Sequence, residues 1–118
     1  MSSKIIQLPP PVSSSVARPP SQIAFNRQEL GQILSVYGRM VSAGHWKDYA
    51  MDFLSDRAVF SVYRKASEHA FYQIVKTPAL QKRQGQFSVM APGGLILKRG
   101  HDLTAVLKVF DRKKFQLR

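Results

Sequence analysis

Ala58-Val59-Phe60-Ser61-Val62-Tyr63 and Phe71-Tyr72-Gln73-Ile74-Val75 decide the fold. Both runs are rich in β-branched and aromatic residues, and both alternate with a period of two, as strands with a core-facing side do. Ala58, Phe60 and Val62 fall on one side of the first run, opposite Val59, Ser61 and Tyr63. In the second, Phe71, Gln73 and Val75 oppose Tyr72 and Ile74. Lys65-Ala66-Ser67-Glu68 reads as the link of a hairpin between them. Upstream, Tyr49, Met51 and Phe53 alternate in the same way. Downstream come Phe87, Val89 and Ala91, then Leu95-Ile96-Leu97, separated by a Pro92-Gly93-Gly94 turn. The link from Thr77 to Gln86 is long for a hairpin. Thr77-Pro78 can open a helical turn that Gly85 ends, presenting Lys82 and Arg83 at its tip.

A helix precedes the strands and another follows them. Asn26 reads as an N-cap, with Glu29 placed to close a capping box and Phe25 and Leu30 placed as a hydrophobic staple. Leu30, Ile33, Leu34, Tyr37, Met40 and Val41 recur at helical spacing up to the stop at Gly44. Gly31, Ser35, Gly38 and Ser42 form a second, small-residue stripe on this helix. Glycine inside a helix costs about 1 kcal/mol relative to alanine, which a close backbone contact would offset. That contact is either with the protein's own second helix or sheet, or with another copy across a homodimer seam. After the strands, Asp102 is a plausible N-cap for a helix whose apolar stripe is Leu103, Val106, Leu107 and Phe110. Arg112, Lys113 and Lys114 fall at its C-terminus, where cations complement the macrodipole. Phe115 and Leu117 allow a short final strand. The expectation is an α+β domain over residues 26–118, an antiparallel meander of about five strands with the N- and C-terminal helices packed on one face.

Residues 1–25 are expected to form a disordered tail. Pro9-Pro10-Pro11, Ser13-Ser14-Ser15 and Pro19-Pro20 deny it periodicity, and proline favours an extended backbone. The remaining length suffices for one modest core. Without cysteine there is no disulfide framework, thiol nucleophile or thiolate metal site. Ile5-Ile6-Gln7-Leu8 is too short for a signal-peptide core, and no apolar run approaches the roughly 20 residues of a membrane span. A cytoplasmic, membrane-free protein is expected.

Charge gives the functional lead. Residues 76–118 carry ten bases against two acids, a net of +8, whereas residues 26–75 net only +1. A field concentrated on one part of a small fold attracts polyanions. The expected phosphate contacts are Lys76, Lys82, Arg83, Lys98, Arg99, Arg112, Lys113 and Lys114, on a surface for nucleic acid or a ribonucleoprotein. Tyr63, Tyr72 and Trp46 are candidate stacking platforms if exposed. Lys98 and Arg99 precede a helix start, but Asp102 places a carboxylate where an anion would sit, so both read as peripheral phosphate contacts. The alternative is an adaptor for a larger acidic protein, docking through the Pro-rich arm, with Gly31, Ser35, Gly38 and Ser42 as its interface.

Signs of catalysis are weak. The chain has no Gly-x-Ser-x-Gly, His-Glu-x-x-His or Walker A pattern, so no enzyme, cofactor or metal is expected. His45, His69 and His101 each fall near a turn or element end. Asp48, Asp52 and Asp56 share a spacing of four, but alternation places that segment in strand.

Several stretches resemble a family of small uncharacterised alphaproteobacterial proteins known only as a domain of unknown function. They are Tyr37-Gly38-Arg39-Met40-Val41 through Gly44, Trp46-Lys47-Asp48-Tyr49-Ala50, Asp56-Arg57-Ala58-Val59-Phe60-Ser61-Val62, and Gly93-Gly94-Leu95-Ile96-Leu97-Lys98-Arg99-Gly100-His101-Asp102-Leu103. The resemblance spans about residues 25–111. It implies a bacterial cytoplasmic protein and transfers no activity, cofactor or catalytic residue.

Overall fold

Five strands pair strictly in chain order, each antiparallel to the last: β1 (Asp48–Phe53), β2 (Ala58–Tyr63), β3 (Tyr72–Lys76), β4 (Phe87–Ala91) and β5 (Leu95–Gly100). Helix α1 (Arg27–Ser42) precedes the sheet and α2 (Leu103–Leu107) follows it. The computed structural model describes residues 21–64 and 69–111. The expected link at Lys65–Glu68, the final strand at Phe115 and Leu117, and the first 20 residues of the tail lie outside the described residues.

Register explains which side chains meet. Met51 lies opposite Phe60, Phe60 opposite Ile74 and Ile74 opposite Val89, so one row of apolar residues crosses four strands. Both helices cover this face. Ile33 and Met40 of α1, Leu103, Val106 and Leu107 of α2, and Phe60, Ile74 and Val89 of the sheet join one core. Trp46, directly after α1, closes it edge-on against Phe110 with ring centroids 4.9 Å apart. The meander with two helices on one face is therefore the architecture that periodicity indicates.

Local signals operate at the helix ends. The Asn26 side chain accepts from the Glu29 backbone N–H at 2.8 Å, and the Glu29 carboxylate accepts from the Asn26 N–H at 2.8 Å. Two of the orphan donors at this end of α1 are thereby satisfied. Gly44, at φ +84°, supplies the left-handed turn that ends the helix. Ile23 and Phe25, from the segment read as tail, belong to the fold. The Ile23 N–H donates to Leu54 at 2.8 Å, and Phe25 is buried in the core.

Three details add to or depart from expectation. β5 runs to Lys98-Arg99-Gly100 as the sequence indicates, but an irregularity at Val89/Met90 leaves Leu97 as an extra residue on its strand. Such a bulge breaks the alternation by which a strand is recognised. α2 has only five residues before the chain tightens into a 3₁₀ turn at Lys108–Asp111. Finally, β2 is buried on both faces at Val59 and Ser61 as well as Phe60 and Val62, so its second side is not a solvated one.

Tyr37 packs on the inner side of α1, edge-on to Tyr49 at 4.9 Å and to Phe60 at 6.0 Å. Burial pushes its phenol above the usual tyrosine value, helped by the Asp48 and Tyr49 charges. The folded chain therefore holds this proton where the unfolded chain releases it. Its contribution to stability is complete below about pH 10 and is lost as pH climbs through the raised value. Tyr37→Phe is expected to flatten the alkaline fall in urea midpoint, and an unchanged fall would refute that assignment.

Candidate nucleic-acid interface

The loop between β3 and β4 turns back onto the end of β5. Thr77 donates to the Gln86 carbonyl at 2.6 Å, a 3₁₀ turn follows at Pro78–Leu80, and the Gly85 N–H returns to Leu80 at 2.9 Å. Gly85 sits at φ +101°, and a Cβ there would overlap the carbonyl carbon and oxygen of Gly100. Two backbones thus meet where only hydrogen fits. Arg99 spans the contact, donating from Nη1 to the Gly85 carbonyl at 3.3 Å.

This clasp seats the loop that carries Lys82 and Arg83 on the end of β5 that carries Arg99. Lys82 and Arg83 are exposed on the loop, Lys98 is exposed on β5 opposite Val89, and Arg99, opposite Ser88 on the other face of the strand, is half-buried. Among the described residues, none of these four makes a salt bridge. The nearest acid along the chain, Asp102, is engaged with α2, accepting from the Thr104 N–H at 3.1 Å. The corner combines a backbone clasp with exposed cationic side chains, a chemistry that suits phosphate oxygens.

Lys76 does not join them. Its ammonium donates to Glu29 Oε1 at 2.8 Å and to the Ala24 carbonyl at 3.0 Å, and both side chains of the pair are nearly buried. Lys76 sits opposite Phe87 and Ala58 on the helix-covered face, so it ties α1 to β3 and is no surface contact. Arg112, Lys113 and Lys114 lie outside the described residues.

The stacking platforms fare differently from the cations. Trp46 is 1% exposed and Tyr72 7%, so both are core side chains, and Tyr63 is half-buried. The Trp46 Nε1–H has no hydrogen-bond partner among the described residues.

The small-residue stripe also departs from expectation. A Cβ on Gly31 or Gly38 would meet nothing within 4 Å, so no close crossing inside the described fold accounts for either glycine. Gly31, Ser35 and Val36 instead line a groove of about 540 Å³ between α1 and α2, with Leu107 on its other wall. An Arg39–Asp111 ion pair, also lining it, joins α1 to the 3₁₀ turn after α2 at 2.6 Å.

The histidines and aspartates do not converge. Among the described residues, no three His, Asp or Glu side chains are placed to hold a metal ion. Among the same residues, no helix is long and apolar enough to cross a membrane.

The match to a family model covers residues 23–107, from Ile23, ahead of α1, to the end of α2. The chain belongs to the family described as protein of unknown function DUF2794. The DUF2794 match takes in both cationic elements of the corner, the 77–86 loop and β5. No curated protein and no solved structure matches the chain.

Sequence reasoning found the cations but missed what assembles them. Gly85 was legible as the end of a helical turn. Its apposition to Gly100 was not, because the two glycines share no periodic pattern.

Proposed function

We propose that this DUF2794 protein is a non-enzymatic basic binding module that holds nucleic acid, free or in a ribonucleoprotein, at the corner formed by the 77–86 loop and β5. The observation that supports the reading is the Gly85–Gly100 clasp, which seats the loop bearing exposed Lys82 and Arg83 on the end of β5 that bears Arg99. Arg112, Lys113 and Lys114 belong to the same proposed set. An array of this kind binds phosphate backbones largely without sequence preference, with Kd of about 10⁻⁴–10⁻⁶ M at physiological salt. The setting proposed with it is the cytoplasm of a bacterium, of the alphaproteobacterial kind.

Charge reversal tests the reading. The double variant Lys82→Glu/Arg83→Glu is expected to weaken binding of labelled nucleic acid by about tenfold or more, since each lost phosphate contact also removes released counterions. Both side chains are exposed, so the urea midpoint should shift by no more than about 0.5 kcal/mol in stability. Unchanged affinity in a folded variant would refute the proposal.

A second reading, an adaptor for another protein, is favoured by the open space beside Gly31 and Gly38 and by exposed Leu34 and Val41 on the same helix. Affinity purification with nuclease treatment separates the two. Partners that survive nuclease and vanish with Gly38→Leu support the adaptor.

A further inference from the structure

We infer that Lys4-Ile5-Ile6-Gln7-Leu8, from this chain's own N-terminal arm, docks along the open edge of β1 as a sixth strand; the inference stands apart from the nucleic-acid reading. Among the described residues β1 pairs with β2 alone and ends the sheet on its side. An edge of this kind leaves backbone donors and acceptors open to another strand. Apolar surface is open there too. Tyr49 stacks on Phe60 at 4.8 Å yet is 40% exposed, and Leu54, just beyond the strand, is 39% exposed.

The place where the arm leaves the fold points to this edge. The Ala24 carbonyl accepts from Lys76 at the end of β3, and the Ile23 N–H donates to Leu54 after β1. Followed backwards, the chain crosses the end of the sheet from β3 to β1 and heads out past that strand. Residues 9–20 span at most about 40 Å, and a six-residue strand such as β1 is about 20 Å long, so Leu8 can reach any point on the edge. Pro9-Pro10-Pro11 and Pro19-Pro20 lack the N–H groups that pairing needs. Ile5 and Ile6 favour strand, and Leu8 adds apolar area.

Charge selects the same edge. Residues 1–20 hold Lys4 and Arg18 and no acid, on a chain of net charge +11 that repels cations over most of its surface. Among the described acids, Glu29, Asp56 and Asp111 are in ion pairs and Asp102 caps α2. Asp48 and Asp52 are left, both exposed and both on β1, a strand without a base. Asp48 accepts from the adjacent Tyr49 N–H, which leaves its charge uncompensated. Tethering supplies an effective concentration in the millimolar range, so even a weak strand contact is populated. The docked arm closes an edge on which another copy would otherwise pair.

The chain has no cysteine, so Gln7→Cys carries a single nitroxide on the full chain. Amide NMR signals of β1 are expected to lose about half or more of their intensity, as a millimolar effective concentration gives for a contact of millimolar Kd. Signals of β5, about 19 Å away across four strand steps, should lose less. Ile5→Ser/Ile6→Ser and, separately, Asp48→Lys/Asp52→Lys should each restore most of the β1 intensity. An unaffected β1, equal losses on β1 and β5, or losses that neither variant reverses overturn the inference. So does an equally strong loss when nitroxide and isotope label sit on separate molecules in a mixed sample, which makes a second copy the occupant.

Discussion

Gly85→Ala is expected to destabilise the protein by about 3–5 kcal/mol, a large share of the roughly 5–15 kcal/mol that holds a domain of this size together. Two penalties add. A non-glycine residue held at positive φ costs on the order of 1–3 kcal/mol, and Gly85 sits at +101°. The new methyl group would also overlap the Gly100 backbone. Backbone cannot rotate aside as a side chain does, so the loop must lift off β5. Lifting it breaks the Arg99–Gly85 hydrogen bond and loosens the Thr77–Gln86 closure. Gly93→Ala is the matched control. It has a similar φ of +84° with nothing within 4 Å, so only the conformational cost of about 1–2 kcal/mol applies. Urea titration of the two variants makes the comparison, and equal losses would mean the Gly85–Gly100 contact contributes nothing. Any Gly85→Ala protein that still folds should also bind nucleic acid more weakly, because Lys82 and Arg83 move with the loop.

Lys76→Met is the second large effect, expected at about 2–4 kcal/mol. Breaking a buried ion pair by removing one partner typically costs about 3–5 kcal/mol. The estimate is lower here because the Lys76 and Glu29 side chains retain 14% and 12% exposure. The loss has two parts. Glu29 Oε1 keeps only the Asn26 N–H, and the Ala24 carbonyl loses its donor. Since Glu29 also closes the α1 capping box, the damage should spread to the start of that helix. Glu29→Gln on top of Lys76→Met should cost less than the two single changes summed, a coupling that a double-mutant cycle measures. Additive losses would show the pair to be energetically idle. The two lysines then separate by readout. Lys76→Met lowers stability without changing the salt slope of nucleic-acid binding, whereas Lys82→Glu does the reverse.

The frame was legible because each element carries its own local signature. Alternation at Ala58–Tyr63, the Asn26–Glu29 capping box and the Thr77–Gly85 turn are all written within a few consecutive residues. What was not legible depends on which surfaces meet. Lys76 looks like any basic strand end until register turns it toward a carboxylate 47 positions earlier. Trp46 and Tyr72 have the composition of stacking residues, and only the packing around Phe110 shows them to be core. Gly31 and Gly38 suggested a tight contact within the chain, and the space beside them is open. At the candidate site, Lys82, Arg83, Lys98 and Arg99 were readable singly, as cations near turns. The approach of the loop bearing Lys82 and Arg83 to the end of β5 depends on the clasp.

Pairing in strict chain order also bears on how the molecule comes together. Each neighbouring strand is the next one along the chain, so every rung of the sheet closes a short loop and little entropy is spent before contact is gained. The long closure is the seating of α1, whose Glu29 must find Lys76 across most of the meander. A hairpin-by-hairpin sheet that assembles first, with the N-terminal helix docking last, is the route this topology favours. The same helix should be the earliest to detach when the protein is stressed.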